Sequence, residues 1–160
     1  QRSWEYDRLT ADYGRFLVED ILPLAETSLD CRISPEAADR IICGISSGGI
    51  AAFNAAWHFP KAFGNVISHC GSFTNIWGGH HFPYLVRSSP RKPIRVFLQS
   101  GENDAQTLFG DWGLANKAMA SALQYAGYEM RFEFGTGGHT LKHAGACFSE
   151  ALRWIWSIDG

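Results

Sequence analysis

With 46% of its 160 residues hydrophobic, the chain can bury one sizeable core, and residues 1–160 are read as a single domain. Its 14 basic and 16 acidic side chains leave a formal charge of -2, so no basic face for nucleic acid is expected. No apolar run approaches the roughly 20 residues needed to cross a bilayer, so no membrane partner is expected either.

In chain order, Tyr6 to Leu24 places Tyr13, Phe16, Leu17, Ile21 and Leu24 at helical spacing, with a stop expected near Pro23. Ser28 to Asp39 reads as a loop, and Arg40 to Cys43 as a short buried strand. A small-residue helix follows to His58, ended before Pro60, and then a strand from Asn65 to Cys70. Gly71 to Lys92, rich in Gly, Pro, His and aromatics, is predicted to be irregular. Ile94 to Gln99 reads as a strand, and Trp112 to Tyr125 as an amphipathic helix with Ala115, Met119, Ala122 and Leu123 inward. Glu129 to Phe134 alternates strictly, as a strand near a sheet edge would. Phe148 to Ile158 closes the chain as a helix. Strands alternating with helices argue for an α/β fold with a mostly parallel sheet of about four strands.

The pentapeptide Gly44-Ile45-Ser46-Ser47-Gly48 sits between an expected strand and an expected helix. Alone the pattern is weak; in that place it describes a nucleophile elbow. The turn forces the serine into strained backbone, and Gly44, Gly48 and Gly49 are expected to remove the clashes that side chains would cause. The helix beginning near Ser47 would aim free N–H groups at the same spot, suiting a developing oxyanion.

A serine nucleophile needs a base and an orienting acid, in the chain order Ser, acid, His. After the strand ending at Gln99 comes Ser100-Gly101-Glu102-Asn103-Asp104, and after the one ending at Phe134 comes Gly135 to Gly138, then His139. Both emerge on the same end of a parallel sheet as Ser46. His139 would take the serine proton, and Asp104 would fix its tautomer. Glu102 is an alternative acid, disfavoured because it stands closer to the strand end, and Asp111 is a third candidate. His58 and His69 are read as structural, whereas His80 and His81 are placed for substrate contact. His139 and His143 have the spacing of a helical metal pair, but Thr140 stands where a zincin has its glutamate, and no metal site is expected. Cys31, Cys43, Cys70 and Cys147 fit neither a zinc nor a disulfide template; Cys43 and Cys70 are expected as buried thiols within strands.

At these residues the sequence resembles the esterase D-like, or enterochelin esterase-like, branch of the α/β-hydrolases. The resemblance runs through Arg2 to Asp7, Gly44 to Gly49, Ala56-Trp57 with Pro60 and Phe63, Gly71-Ser72-Phe73, Gly101 to Asp104, Gly127-Tyr128 and Gly138-His139. It implies a serine carboxylic ester hydrolase working through an acyl-enzyme, with Ser46, Asp104 and His139 catalytic and the Ser47 N–H as an oxyanion donor. It implies no organic or metal cofactor. Family members act on trilactone siderophores, feruloyl and acetyl esters of plant polysaccharides and S-formylglutathione; relatives transfer acyl groups to sugars. A complete member carries several strands and an oxyanion loop ahead of the region that Gln1 opens. The expectation is therefore a C-terminal portion of the fold, completed by a longer chain or by a second chain, a homo-oligomer included. The strand before Ser46 would then be an edge.

Substrate residues are drawn from the aromatic-rich stretch Ser72 to Tyr84, with Trp77 and His80 foremost, and from Trp112 after the acid loop. Their rings suit a sugar or aryl acyl group, or equally the packing of the loop onto the core. Glu5 and Tyr6 join the pocket by resemblance alone. The competing reading is a non-catalytic binding or assembly segment that keeps the elbow. Neither choice fixes the compartment: export and a cytoplasmic location both fit.

Overall fold

The computed structural model describes residues 2–157, with main chain only at Arg2. Its centre is a four-stranded parallel sheet in the order β1 (Ile41–Ile45), β2 (Asn65–His69), β3 (Arg95–Asn103) and β6 (Met130–Gly138). A two-stranded antiparallel hairpin, β4 (Gln106–Thr107) and β5 (Gly110–Asp111), stands apart from it. Helix α4 (Ser47–His58) joins β1 to β2, α5 (Phe82–Ser88) lies between β2 and β3, and α6 (Trp112–Tyr125) leads into β6. This is an α/β arrangement, a parallel sheet with helices on both faces.

Period-two alternation sorts the faces. Val66, Val96 and Leu98 point to the larger core with Phe53 of α4, Phe82 and Val86 of α5, and Met119 and Leu123 of α6. Ile67 and Phe97 point the other way, onto Ala151 and Ile155 of α7 (Leu141–Trp156). Each fully buried side chain of this size contributes about 1.5–3 kcal/mol. Helix α4 comes close to the sheet because its inner face is small: Gly49, Ala51, Ala52, Ala55 and Ala56 are all buried. Two caps set helix starts, with Asp111 accepting from the Leu114 N–H and Thr140 from the His143 N–H.

The first helical stretch is broken, into α1 (Arg2–Tyr6), α2 (Asp12–Phe16), a π-turn at Leu17–Ile21 and α3 (Leu22–Leu29). Pro23 does not stop it. A proline is tolerated in a helix's first turn, and the wider π-turn restarts the hydrogen-bond frame one residue ahead of it. Buried Asn54 ties this region to α4 by donating to the carbonyls of Arg8 and Thr10.

Other expectations shift as well. Residues 82–88 are helical, not irregular; Pro83 occupies the first turn, where its missing N–H has no helical partner to lose. Strands β3 and β6 run on to Asn103 and Gly138 because they go on pairing with each other past the end of β2. The last helix starts at Leu141, capped by Thr140, and Ile158 lies outside the described residues. Strand β1 is half-buried and Cys43 exposed, because β1 ends the sheet order and no strand covers its outer side among the described residues. Cys70 is buried but follows β2 in a left-handed turn at φ 46°. All four cysteines are free thiols. No described helix is long and apolar enough to cross a membrane.

Candidate active site

Three neighbouring features of the sheet's carboxyl end converge. Ser46 follows β1, Asp104 follows β3 and His139 follows β6. Ser46 sits at φ 59°, ψ -122°, a conformation that costs a non-glycine residue on the order of 1–3 kcal/mol. The surroundings hold it there. Its N–H donates to the His69 carbonyl at 2.9 Å, and its own carbonyl accepts from Gly49, Ile50 and Ser72. The tightness of the turn falls on Gly44, where an added Cβ would lie 2.1 Å from the Gly48 carbonyl oxygen, and on Gly49, where it would meet Ser68 Oγ at 2.8 Å. At Gly48 an added Cβ meets nothing within 4 Å, so this glycine, unlike the other two, is not sterically required.

The Ser46 hydroxyl lies 2.8 Å from His139 Nε2, and His139 Nδ1 lies 2.6 Å from Asp104 Oδ1. A carboxylate oxygen only accepts, so Nδ1 carries the proton and Nε2 is left free to take one from the serine. Burial by itself would raise the Asp104 carboxyl. The hydrogen bonds from His139, from Ser100 Oγ at 2.5 Å and from the Ala105 N–H at 2.8 Å outweigh it and hold the group below its usual 3.8. Asp104 is thus ionised near neutrality. As the first residue of α4, Ser47 has an N–H outside the helix's own ladder, at its positive end.

The other acid candidates are placed elsewhere. Asp111 is taken up capping α6 and accepting from Gln106. Glu102 is exposed on β3. Trp112 is buried and forms part of the site wall: its Nε1–H donates to Ser72 Oγ at 3.2 Å, and its ring meets His139 edge-on at 5.7 Å. Trp77, half exposed, packs edge-on against Trp4 at 5.2 Å. His80 lies against His81, their rings 4.3 Å apart and tilted by 52°, and borders a cavity of about 390 Å³ with Phe73, Phe109 and Leu114. Glu5 and Tyr6 line a second cavity of about 440 Å³ with Trp4, Arg8, Tyr13 and Phe16. His58 bonds the Leu9 carbonyl, and His69 is buried on β2.

Sequence reasoning missed four residues. Ser100 supports the acid. Ser72 lies between the Ser46 hydroxyl, 3.5 Å away, and the Trp112 indole. Buried Asp7 accepts from Ser47 Oγ at 2.9 Å, next to the elbow, and from Ser3 Oγ. Cys70 lies close enough to Asp104 and His139 for the three donor atoms to fall within 4.8 Å of one another. Burial, with the Asp104 charge beside it, pushes the Cys70 thiol up to about 12, and a metal ion would have to displace that proton and part the His139–Asp104 bond. Ser100 left a local trace, as a hydroxyl directly after an expected strand and four residues before the acid, whereas Ser72 and Asp7 entered only within the runs that carry the resemblance.

The chain is 28% identical to the iron(III) enterobactin esterase of Dickeya dadantii (strain 3937) over 162 residues, covering 88% of this chain and 34% of that protein. The corresponding esterase of Escherichia coli (strain K12) is 27% identical, covering 81% of this chain and 32% of that one. The chain thus spans about a third of the length of these curated relatives. Among solved structures, the enterobactin esterase from Shigella flexneri in the presence of enterobactin superposes with a TM-score of 0.80 at 22% identity, over 98% of this chain and 40% of that one. A ferulic acid esterase does so at 0.74 and 18%, over 89% and 60%. The Esterase family model, described as "Putative esterase", matches residues 4–155, and the chain belongs to that family.

Proposed function

We propose that this chain carries the nucleophile, base and acid of a serine carboxylic ester hydrolase. The observation that carries the reading is the unbroken hydrogen-bonded run from Asp104 Oδ1 through His139 to Ser46 Oγ, at 2.6 and 2.8 Å. In this mechanism Ser46 Oγ attacks the ester carbonyl while its proton passes to His139 Nε2. Ionised Asp104 stabilises the imidazolium, and the Ser47 N–H faces the developing oxyanion. Collapse of the tetrahedral intermediate expels the alcohol, which takes the proton from His139, and leaves an acyl group on Ser46. Water, deprotonated by the same imidazole, then releases the acid and restores the serine.

The substrate class we propose is an ester with an aromatic or carbohydrate component, as in feruloyl or acetyl esters of sugars or a siderophore lactone. The Trp112 ring, edge-on to His139, supports it. Relatives named for enterobactin and ferulic acid point the same way.

Fluorophosphonate labelling provides the test. Stoichiometric capture at Ser46, abolished in Ser46→Ala and slowed in His139→Ala, is the expected result. A folded chain whose Ser46 resists the probe would overturn the reading in favour of a non-catalytic segment. Turnover of feruloyl, acetyl and trilactone esters side by side then ranks the substrates.

A further inference from the structure

The segment that delivers His139, Gly135 to Gly138, has only one side chain, that of Thr136, with which to pack itself in place. Something else must hold it. On one side β3 grips it through the pairs Gly101↔Gly135 and Asn103↔Gly138 and through Asn103 Nδ2, which donates to the Thr136 carbonyl at 2.7 Å. On the other side lies the ring of His143, from the first turn of α7. A Cβ built on Gly137 would come within 2.2 Å of His143 Nδ1 and 2.4 Å of its Cγ, so the glycine backbone rests directly on the imidazole.

That imidazole is itself fixed from below. Gln99, fully buried on β3, places its Nε2 2.9 Å from His143 Nδ1 and its Oε1 3.1 Å from His69 Nδ1. An amide nitrogen only donates and an amide oxygen only accepts, so His143 Nδ1 accepts and His69 Nδ1 carries a proton. The reversed amide would force a proton onto His69 Nε2, which is buried with no acceptor. The observed amide pairs both its donor and its acceptor and leaves His69 Nε2 buried as an unpaired acceptor, where the reversed amide would leave it an unpaired donor; the bond from Gln99 Nε2 then orients the His143 ring beneath the loop. None of these three side chains has a role in the proposed reaction.

We propose that His143, braced by Gln99 and His69, is a positioning residue that holds the Gly135–Gly138 segment and so keeps His139 Nε2 at the Ser46 hydroxyl. The proposal rests on the esterase reading for its consequence in turnover, though not for its structural content. A nucleophile–base distance that drifts by about 1 Å lowers the rate by up to about 100-fold. Substrate binding does not depend on it.

The test compares wild type, His143→Ala and His143→Asn, whose Oδ1 can accept from Gln99 near the position of Nδ1. Expected for His143→Ala is a fall in kcat of about 10- to 100-fold with KM within about twofold. Hydrogen–deuterium exchange should rise at residues 135–138 with the remaining sheet unchanged, and His143→Asn should recover most of both. An unchanged kcat, or an Asn variant as impaired as the Ala variant, overturns the proposal. Where His143→Ala does not fold, Gly137→Ala, which wedges a methyl between loop and ring, is expected to give the same loss of kcat, and full activity there overturns it. Failure of the esterase reading is distinguishable, because wild type then resists the fluorophosphonate. In that case exchange alone decides: a rise at 135–138 in His143→Ala supports the positioning role and an unchanged pattern overturns it.

Discussion

The two edges of the sheet each deliver one member of the proposed triad, and they are built on different principles. Strand β1, which leads to Ser46, has five residues, no charge and an exposed Cys43. Strand β6, which leads to His139, has nine residues, with Arg131 bonded to both Glu133 and Glu150 and the Lys117 ammonium 3.9 Å over the Phe134 ring. The serine is placed by its own strained turn and the helix that follows. The histidine is placed by what grips the glycine-rich segment before it: Asn103 of β3, 33 residues from Thr136, and the ring of His143 in the helix that follows, itself bonded to buried Gln99. A strained turn therefore presents the nucleophile, and contacts to a segment nearly without side chains present the base.

The largest expected effect removes the base. His139→Ala should lower turnover by about 10⁶-fold and slow fluorophosphonate labelling, since a serine without its base retains only the help of binding and oxyanion donors. The ring is part-exposed on a loop, so the urea midpoint should move little. A variant that keeps one-tenth of wild-type activity would remove His139 from the mechanism.

The elbow should break differently, by losing the fold. Gly44→Ala drives a methyl against the Gly48 backbone at 2.1 Å with no flexible neighbour to yield, and a loss on the order of 3 kcal/mol is expected in urea unfolding. Gly48→Ala has open space and a helical position, where alanine is favoured by about 1 kcal/mol, so it should be neutral or stabilising. Equal losses at the two positions would refute the distinction between them.

That distinction was invisible in the sequence, where both glycines belong to one motif. The three polar residues were legible because each follows a strand end in the required order, and parallel strands bring such positions to one rim. The four-stranded parallel sheet was legible from alternating strand and helix patterns for the same reason. Ser72, Asp7 and His143 were not, because their roles arise from contacts with partners 26, 40 and 44 residues away that no local pattern encodes. Helix α5 was hidden by its Pro83 and the glycines and aromatics before it. The exposed Cys43 was missed because an apolar strand reads as buried whether or not a neighbour covers it.

A more moderate effect tests the acid, which β3 supplies between the two edges. The fold lowers the Asp104 carboxyl below its ordinary 3.8, so its contribution to stability is complete above about pH 4 and is lost as pH falls through the lower, folded value. Urea midpoints measured from pH 6 to pH 2 should therefore show wild type losing its advantage over Asp104→Asn only in the acid limb. An advantage that fades near pH 6 instead would assign it to another group.

The smallest effects lie at the edges themselves. Arg131 is about one-third exposed, so its pairs with Glu133 and Glu150 are screened, and Arg131→Ala should cost no more than about 1 kcal/mol. If charge at β6 serves instead to discourage further strand pairing, the uncharged β1 edge is the one that should associate. Concentration-dependent sedimentation is the measurement. Cys43→Lys, which places a charge at an exposed position of β1, should reduce association of the chain while leaving the urea midpoint nearly unchanged. If the lysine variant associates as readily as wild type, the contact lies elsewhere, and the contrast between a guarded and an unguarded edge reduces to a difference in how each holds its share of the site.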